Sequence, residues 1–419
     1  MLKINNLTIE FGTGDNKKVV VDNVSLNVKR GTSLGIVGES GSGKSITALA
    51  IIKLLPPQAN FSAGNIYFDD IDLSNLDKKE IKKFRGNRIS MIFQEPMTAL
   101  NPVMKCGKQV AESIILHQKI KKKDAHSKVI SLFNKVNLPR PEHIYNSYPH
   151  QLSGGQKQRI MIAMAIANNP DLLIADEPTT ALDVTVQKEI IELLNNLRKE
   201  FGMSMIFISH DLGVIREVAD EVLVMYKGCV VESGNTNTVF EQPKHPYTKG
   251  LLACRPPIDK RIDRLPIIDD FLNEDIIEIS SNDNSNNRLE QHRIIYDNEP
   301  VLEVRDLDKK YSLSKNIWGK STSYIKAVND VSFNIYPGET LGLVGESGCG
   351  KTTFLKMLLG QETQTRGELL LKGEAFPGEP DRNRGIVFQR YSVFPHLTVR
   401  QNVLMGLELE QKPWLGKLF

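Results

Sequence analysis

The apolar residues of this chain gather in short continuous runs rather than in strict alternation. Leu34 to Val37, Leu172 to Ala175 and Met205 to Ile208 are such runs, the pattern of strands buried on both faces of a parallel sheet. Each run ends in small or charged residues: Gly38-Glu39-Ser40-Gly41 after the first, Asp176-Glu177-Pro178 after the second, Ser209-His210-Asp211 after the third. Helical stretches are predicted from Ile46 to Leu55 and from about Gln156 to Ala167. Strands alternating with helices make this an α/β chain. In open α/β sheets ligands bind beyond the carboxyl ends of the strands, which is where all three clusters fall.

The first cluster continues as Gly38-Glu39-Ser40-Gly41-Ser42-Gly43-Lys44-Ser45, the G-x-x-x-x-G-K-[ST] pattern, in the strand–turn–helix context that it requires. Glycines let the backbone wrap closely so that its N–H groups face phosphate, and the helix start adds partial positive charge. Lys44 is the partner expected for the β- and γ-phosphates, and Ser45 is the expected ligand of Mg²⁺. At the second cluster, Asp176 suits a metal held through water and Glu177 suits the polarisation of an attacking water. An isolated Asp-Glu pair would more often be a helix N-cap. A lone His210 after a strand is usually structural or solvated.

Between the loop and the acidic strand stands Leu152-Ser153-Gly154-Gly155-Gln156, where Ser153 can cap a helix and two glycines leave its N–H groups open to phosphate. In this order the motifs resemble the ATPase subunits of ABC transporters, over nearly all of residues 1 to 255. The resemblance implies a P-loop NTPase of the ABC type, a mixed sheet core with a helical subdomain. It makes ATP the nucleotide, His210 the γ-phosphate contact, and Gln94 the glutamine that senses metal and water. It implies that Ser153, Gly154, Gly155 and Gln156 close on a nucleotide held by another domain's loop, with Asp183, in Ala181-Leu182-Asp183, at the same interface. Phe11 is the candidate adenine platform, although an aromatic near a first strand is as often plain core. The stretch Phe93 to Pro102 and the later His245-Pro246-Tyr247-Thr248-Lys249 resemble the subgroup serving importers of di- and oligopeptides, glutathione and nickel complexes. The implied partners are two permease subunits, a substrate-binding protein and another ABC ATPase domain in trans, identical or paralogous. The implied place is the cytoplasmic face of the membrane, peripherally attached.

The chain then repeats itself. Gly342 to Thr352 duplicates Gly35 to Ser45, and Asp330-Val331-Ser332-Phe333 mirrors Asn23-Val24-Ser25-Leu26. Gly345, Gly348, Gly350, Lys351 and Thr352 are thus a second phosphate site, Thr352 a second metal ligand, Tyr311 a second adenine platform and Gln389 a second sensing glutamine. Residues 258–300, rich in Asp, Asn and Ser and without apolar periodicity, read as a flexible linker between a complete domain at 1–257 and an incomplete one at 301–419. After Gln389 the sequence holds no signature segment, no apolar strand ending in Asp-Glu and no later Ser-His. A composite site needs a loop and acidic pair from one domain and a signature from the other, so neither intramolecular site is expected to be complete.

Composition changes little. Of 419 residues, 40% are hydrophobic and 25% charged, as in ordinary globular proteins. A formal net charge of +3 gives no reason to expect nucleic acid as partner. Four scattered cysteines suggest neither a zinc site nor a disulfide framework. No apolar run is long enough for a membrane span, so membrane contact is expected through partners. The alternative readings are a truncated tandem ABC protein that binds ATP but turns it over poorly, or a non-transport ABC ATPase. Against the latter, the linker lacks sustained heptads.

Overall fold

The computed structural model describes all residues except 13, 15–16, 95–98, 181, 256–263, 274–284, 316–320, 347, 377, 379–383, 388–392 and 412–419. The chain divides into two compact units, Met1–Asn286 and Asn287–Phe419.

In the first unit, strands β1 (Leu2–Phe11), β2 (Lys18–Val28), β4 (Ala59–Phe68) and β5 (Ile71–Asp72) form an antiparallel sheet of order β2-β1-β4-β5. The second sheet has the order β10-β9-β3-β8-β7-β6, from β3 (Ser33–Val37), β6 (Ile89–Ile92), β7 (Leu172–Asp176), β8 (Ser204–Ile208), β9 (Glu221–Tyr226) and β10 (Cys229–Asn235). All neighbours in it are parallel except β9 and β10. Every residue of β3, β7 and β8 is buried, which is why these strands read as continuous apolar runs. Their register sets Ile36 beside Ile208 and Asp176 beside Ile208, so the three carboxyl ends come out together.

Helix α1 (Lys44–Ile51) leaves the end of β3 through the glycine loop. It is shorter than the expected Ile46 to Leu55 and starts earlier. Lys53 takes a left-handed backbone with φ of 50°, and Leu54 N–H donates to the Leu49 carbonyl at 2.9 Å, a Schellman-like stop that the apolar run Ile51 to Leu55 conceals. Helices α2 (Cys106–Gln118), α3 (Lys122–Lys135), α4 (Pro141–Asn146) and α5 (Gly154–Ile166) pack as a helical subdomain, with Val110, Ile114, Val129, Phe133 and Ile160 fully buried among them. The predicted helix at Gln156 likewise begins two residues earlier, because Ser153 is its cap. Helix α6 (Val184–Phe201) follows β7, and α7 (Leu212–Val218) covers β3. Helices α8 (Thr236–Glu241), α9 (Pro246–Ala253) and α10 (Ile268–Leu272) complete the unit.

Part of the stretch read as linker is therefore helical. Ile268 and Leu272 of α10 pack against the first unit's core, and Phe271 lies against Gly250 of α9. Five residues are too few to show periodicity, and α10 is apolar only with respect to the helix that it meets. Helix α11 (Ser285–Tyr296) also falls within that stretch.

The second unit has one antiparallel sheet of order β12-β11-β13-β14, from β11 (Leu302–Lys315), β12 (Ser321–Ile335), β13 (Arg366–Leu371) and β14 (Glu374–Ala375), with helices α12 (Lys351–Leu358) and α13 (Val399–Gln411). Its small core joins Leu302, Val304, Leu307, Val328, Leu369, Phe354 and Met357. The counterpart of β3, Leu341 to Val344, lies in no strand, and Val344 is 89% exposed.

Gly35 lets α7 lie directly on β3. A Cβ there would meet Ile215 Cγ2 at 2.7 Å and Ala219 Cβ at 2.9 Å. Gly35→Val is expected to destabilise the first unit by about 1–3 kcal/mol through overpacking, read as a lower urea midpoint. An unchanged midpoint would contradict this packing.

Candidate functional site

The loop from Gly38 to Ser45 closes on its own lysine. Gly38, Gly41 and Gly43 take φ values of 150°, 81° and 96°, a region where a side chain is strained. At Gly38 a Cβ would also sit 2.1 Å from the Met225 carbonyl oxygen. The chain thereby turns so that Lys44 Nζ donates to the carbonyls of Gly38 at 2.8 Å and Glu39 at 2.7 Å, with Ser42 Oγ at 3.4 Å. Lys44 is buried, and burial pushes its ammonium below the usual lysine range, against the charges of Glu177, Asp176 and Glu39. Ser40 and Gly41 are exposed at the loop tip.

Ser45 Oγ donates to Asp176 Oδ1 at 3.1 Å, joining α1 to the end of β7. Burial raises the Asp176 carboxyl to about 6; the nearby Glu177 charge adds to this, and Ser45 and Lys44 oppose it. Glu177 has a left-handed φ of 46°, a strained conformation for a residue other than glycine, of the kind that clusters at functional sites. Its Oε2 accepts from Gln94 Nε2 at 3.0 Å and Thr180 Oγ1 at 2.9 Å, and His210 Nδ1 lies 3.2 Å away. Thr180 has no motif of its own in the sequence; its only signal is its place three residues after Glu177, on the same turn.

The donor set fits a hard cation. Ser45, Asp176 and the Gln94 amide offer oxygen, and Mg²⁺ is typically held by one or two carboxylates with waters and substrate phosphates. Among the described residues no group of three or more His, Cys, Asp or Glu forms a closed metal cage.

Ser153 caps α5: its Oγ accepts from Gln156 N–H at 3.3 Å, and Gln156 Oε1 accepts from Ser153 N–H at 3.1 Å. A Cβ on Gly155 would meet Val186 at 2.9 Å, whereas Gly154 has only Leu182 near it, at 3.8 Å. No described hydrogen bond joins this segment to the loop Gly38 to Ser45. Asp183 caps α6 by accepting from Val186 N–H at 3.0 Å. Phe11 is half-buried and pairs with Lys18 in register, two residues before Val20, whose carbonyl lies against Gly43.

The second unit repeats this geometry in part. Gly345, Gly348 and Gly350 have φ of 154°, 84° and 100°, and Lys351 Nζ donates to the Gly345 and Glu346 carbonyls at 2.6 and 2.8 Å. Tyr311 pairs with Ile325, two residues before Ala327, whose carbonyl lies against Gly350. Thr352 is exposed, with no carboxylate partner among the described residues. Gln389 lies outside the described residues.

The family model described as "ABC transporter" matches residues 21–180 and 328–418, taking in both glycine loops. This chain belongs to the ABC transporter family. A second model, the oligopeptide/dipeptide transporter C-terminal region, matches residues 231–274. The chain is 43% identical over 385 residues to the glutathione import ATP-binding protein GsiA of Shigella dysenteriae serotype 1, covering 89% of this chain and 60% of that protein. It is 41% identical to GsiA of Escherichia coli O1:K1 / APEC, covering 98% and 67%. The chain thus spans about 60% of the length of most of these relatives. Among solved structures it resembles the dimeric ATP-binding cassette MJ0796 in a post-hydrolysis state bound to ADP and Pi, and a second dimeric structure of that cassette. Each has a TM-score of 0.52 and 31% identity, covering 56% of this chain and 99% of the cassette. The first unit therefore has the ABC cassette fold. No helix among the described residues is long and apolar enough to cross a membrane.

The Asp176 carboxyl has a stability signature. Folded, it holds its proton up to about 6, against an ordinary 3.8, so stability contributed by the protonated form is lost as pH rises through that window. Asp176→Asn is expected to raise the melting temperature of the nucleotide-free protein at pH 7.5, by an amount equivalent to about 3 kcal/mol, with the gain shrinking toward pH 4.5. A variant less stable than wild type at pH 7.5 would contradict the burial of this charge.

Proposed function

We propose that this chain binds and hydrolyses ATP to energise an ABC importer of di- or oligopeptides or related small solutes such as glutathione. The observation that carries this reading is the meeting of Lys44, Ser45, Asp176, Glu177 and His210 at the ends of β3, β7 and β8, with Gln94 bonded to Glu177. The names of the GsiA relatives and the match to the oligopeptide/dipeptide region support the solute class.

In this proposal the N–H groups of Gly38 to Ser45 wrap the phosphates, and Lys44, held in place by the loop, pairs with the β- and γ-phosphates. Phe11 stacks on adenine. Mg²⁺, when bound, would sit at Ser45 and Gln94, with Asp176 behind water, and neutralise charge on the phosphates. Glu177, oriented by Thr180, Gln94 and His210, aligns a water for attack on the γ-phosphorus and accepts its proton. His210 contacts the γ-phosphate. Ser153 to Gln156 and Asp183 act on the nucleotide of a second cassette in trans, and the region around Gln94 to Pro102 meets permease helices at the membrane. The further partners are a second permease subunit and a substrate-binding protein.

For the second unit, the Lys351 cage supports nucleotide binding. Thr352 is its candidate metal ligand.

Glu177→Gln is expected to keep ATP binding and to lower phosphate release by about a hundredfold or more, while Lys44→Ala weakens binding itself. Wild-type turnover in Glu177→Gln would remove Glu177 from its role.

A further inference from the structure

One peptide unit of the glycine loop is gripped from both sides. The Gly38 carbonyl and the Glu39 N–H belong to the same planar trans peptide, so they point in opposite directions. On one side the carbonyl accepts from Lys44 Nζ at 2.8 Å. On the other the N–H donates to Tyr247 Oη at 2.9 Å, from a residue 208 positions along the chain. Tyr247 is fully buried.

The region around Tyr247 is built to aim it. Its ring stacks on Tyr226 at 4.2 Å between centroids, and Tyr226 directly follows Met225, whose carbonyl packs beneath Gly38. Glu232 accepts from the N–H groups of Lys244 and His245 at 2.9 and 3.0 Å, fixing the elbow before α9. His245 Nδ1 then accepts from Tyr247 N–H at 3.1 Å, and Pro246 opens the helix. Burial pushes the Tyr247 phenol up to about 12, so the hydroxyl stays neutral near pH 7.

We propose that Tyr247 is a positioning residue for the nucleotide site: its hydroxyl holds the Gly38–Glu39 peptide unit, that unit holds the Lys44 ammonium, and residues 231–274 thereby set the affinity for ATP. This rests on the reading of Gly38 to Ser45 as the ATP site. Without the hydroxyl the Glu39 N–H loses this partner, the peptide is free to turn, and Lys44 loses the carbonyl that keeps it in place.

The test is calorimetric titration of wild type, Tyr247→Phe and Lys44→Ala with MgATP, beside their nucleotide-free melting temperatures and steady-state ATPase kinetics. Phenylalanine keeps the ring, the stack and the packing. The expected result for Tyr247→Phe is an ATP Kd about tenfold weaker and a KM raised to match, with kcat within about twofold and a melting temperature close to wild type. A Kd equal to wild type would overturn the proposal, whether or not the melting temperature falls, because a purely structural tyrosine would change stability alone. Lys44→Ala separates the two claims: if it binds ATP as tightly as wild type, the reading of the loop fails, and the Tyr247 result is not needed to show it.

Discussion

An ammonium group taken out of water has to be surrounded by oxygen, and in the first unit Lys44 meets that demand with the carbonyls of its own loop. Those carbonyls turn inward only because Gly38, Gly41 and Gly43 adopt backbone angles that side chains resist. The loop is in turn held between the buried end of β3 and the start of α1. From this arrangement the placement of Ser45 against Asp176 follows directly, because α1 carries the hydroxyl and the parallel register of β3, β8 and β7 carries the carboxylate. Glu177 then stands one residue beyond the strand in a strained conformation, with Gln94, Thr180 and His210 gathered on a single oxygen.

The two copies separate what local sequence builds from what the sheet must supply. The cage around Lys351 repeats that around Lys44 to within a few tenths of an ångström in its main contacts, so the glycine pattern and the helix start suffice for it. The strand beneath does not repeat. In the first unit β3 is buried between β8 and β9, whereas Leu341 to Val344 has no strand beside it among the described residues and remains exposed. A parallel strand needs a strand to pair with and cover over its faces, and near-identical sequence cannot substitute for them.

The meeting of the first unit's candidate site residues was legible because they sit at strand ends with fixed spacing: Lys44 and Ser45 after one apolar run, Asp176 and Glu177 after another, His210 after a third. The capping role of Ser153 was legible for the same local reason. What escaped was tertiary. Thr180 meets Glu177 through a turn that points it back, and Tyr247 meets the Glu39 N–H through a contact spanning 208 positions. Neither leaves a periodic trace. The short α10 was missed because its apolar face exists only against α9, and the end of α1 because a left-handed Lys53 stops the helix inside an unbroken apolar run.

We propose that the first unit turns over ATP only when the Ser153 to Gln156 segment of another cassette closes on its nucleotide. The most direct measurement is the mass in solution of full-length Glu177→Gln protein by light scattering, with and without MgATP. The account predicts a doubling of mass on adding ATP. A protein that binds ATP yet keeps its nucleotide-free mass would contradict pairing between copies of this chain.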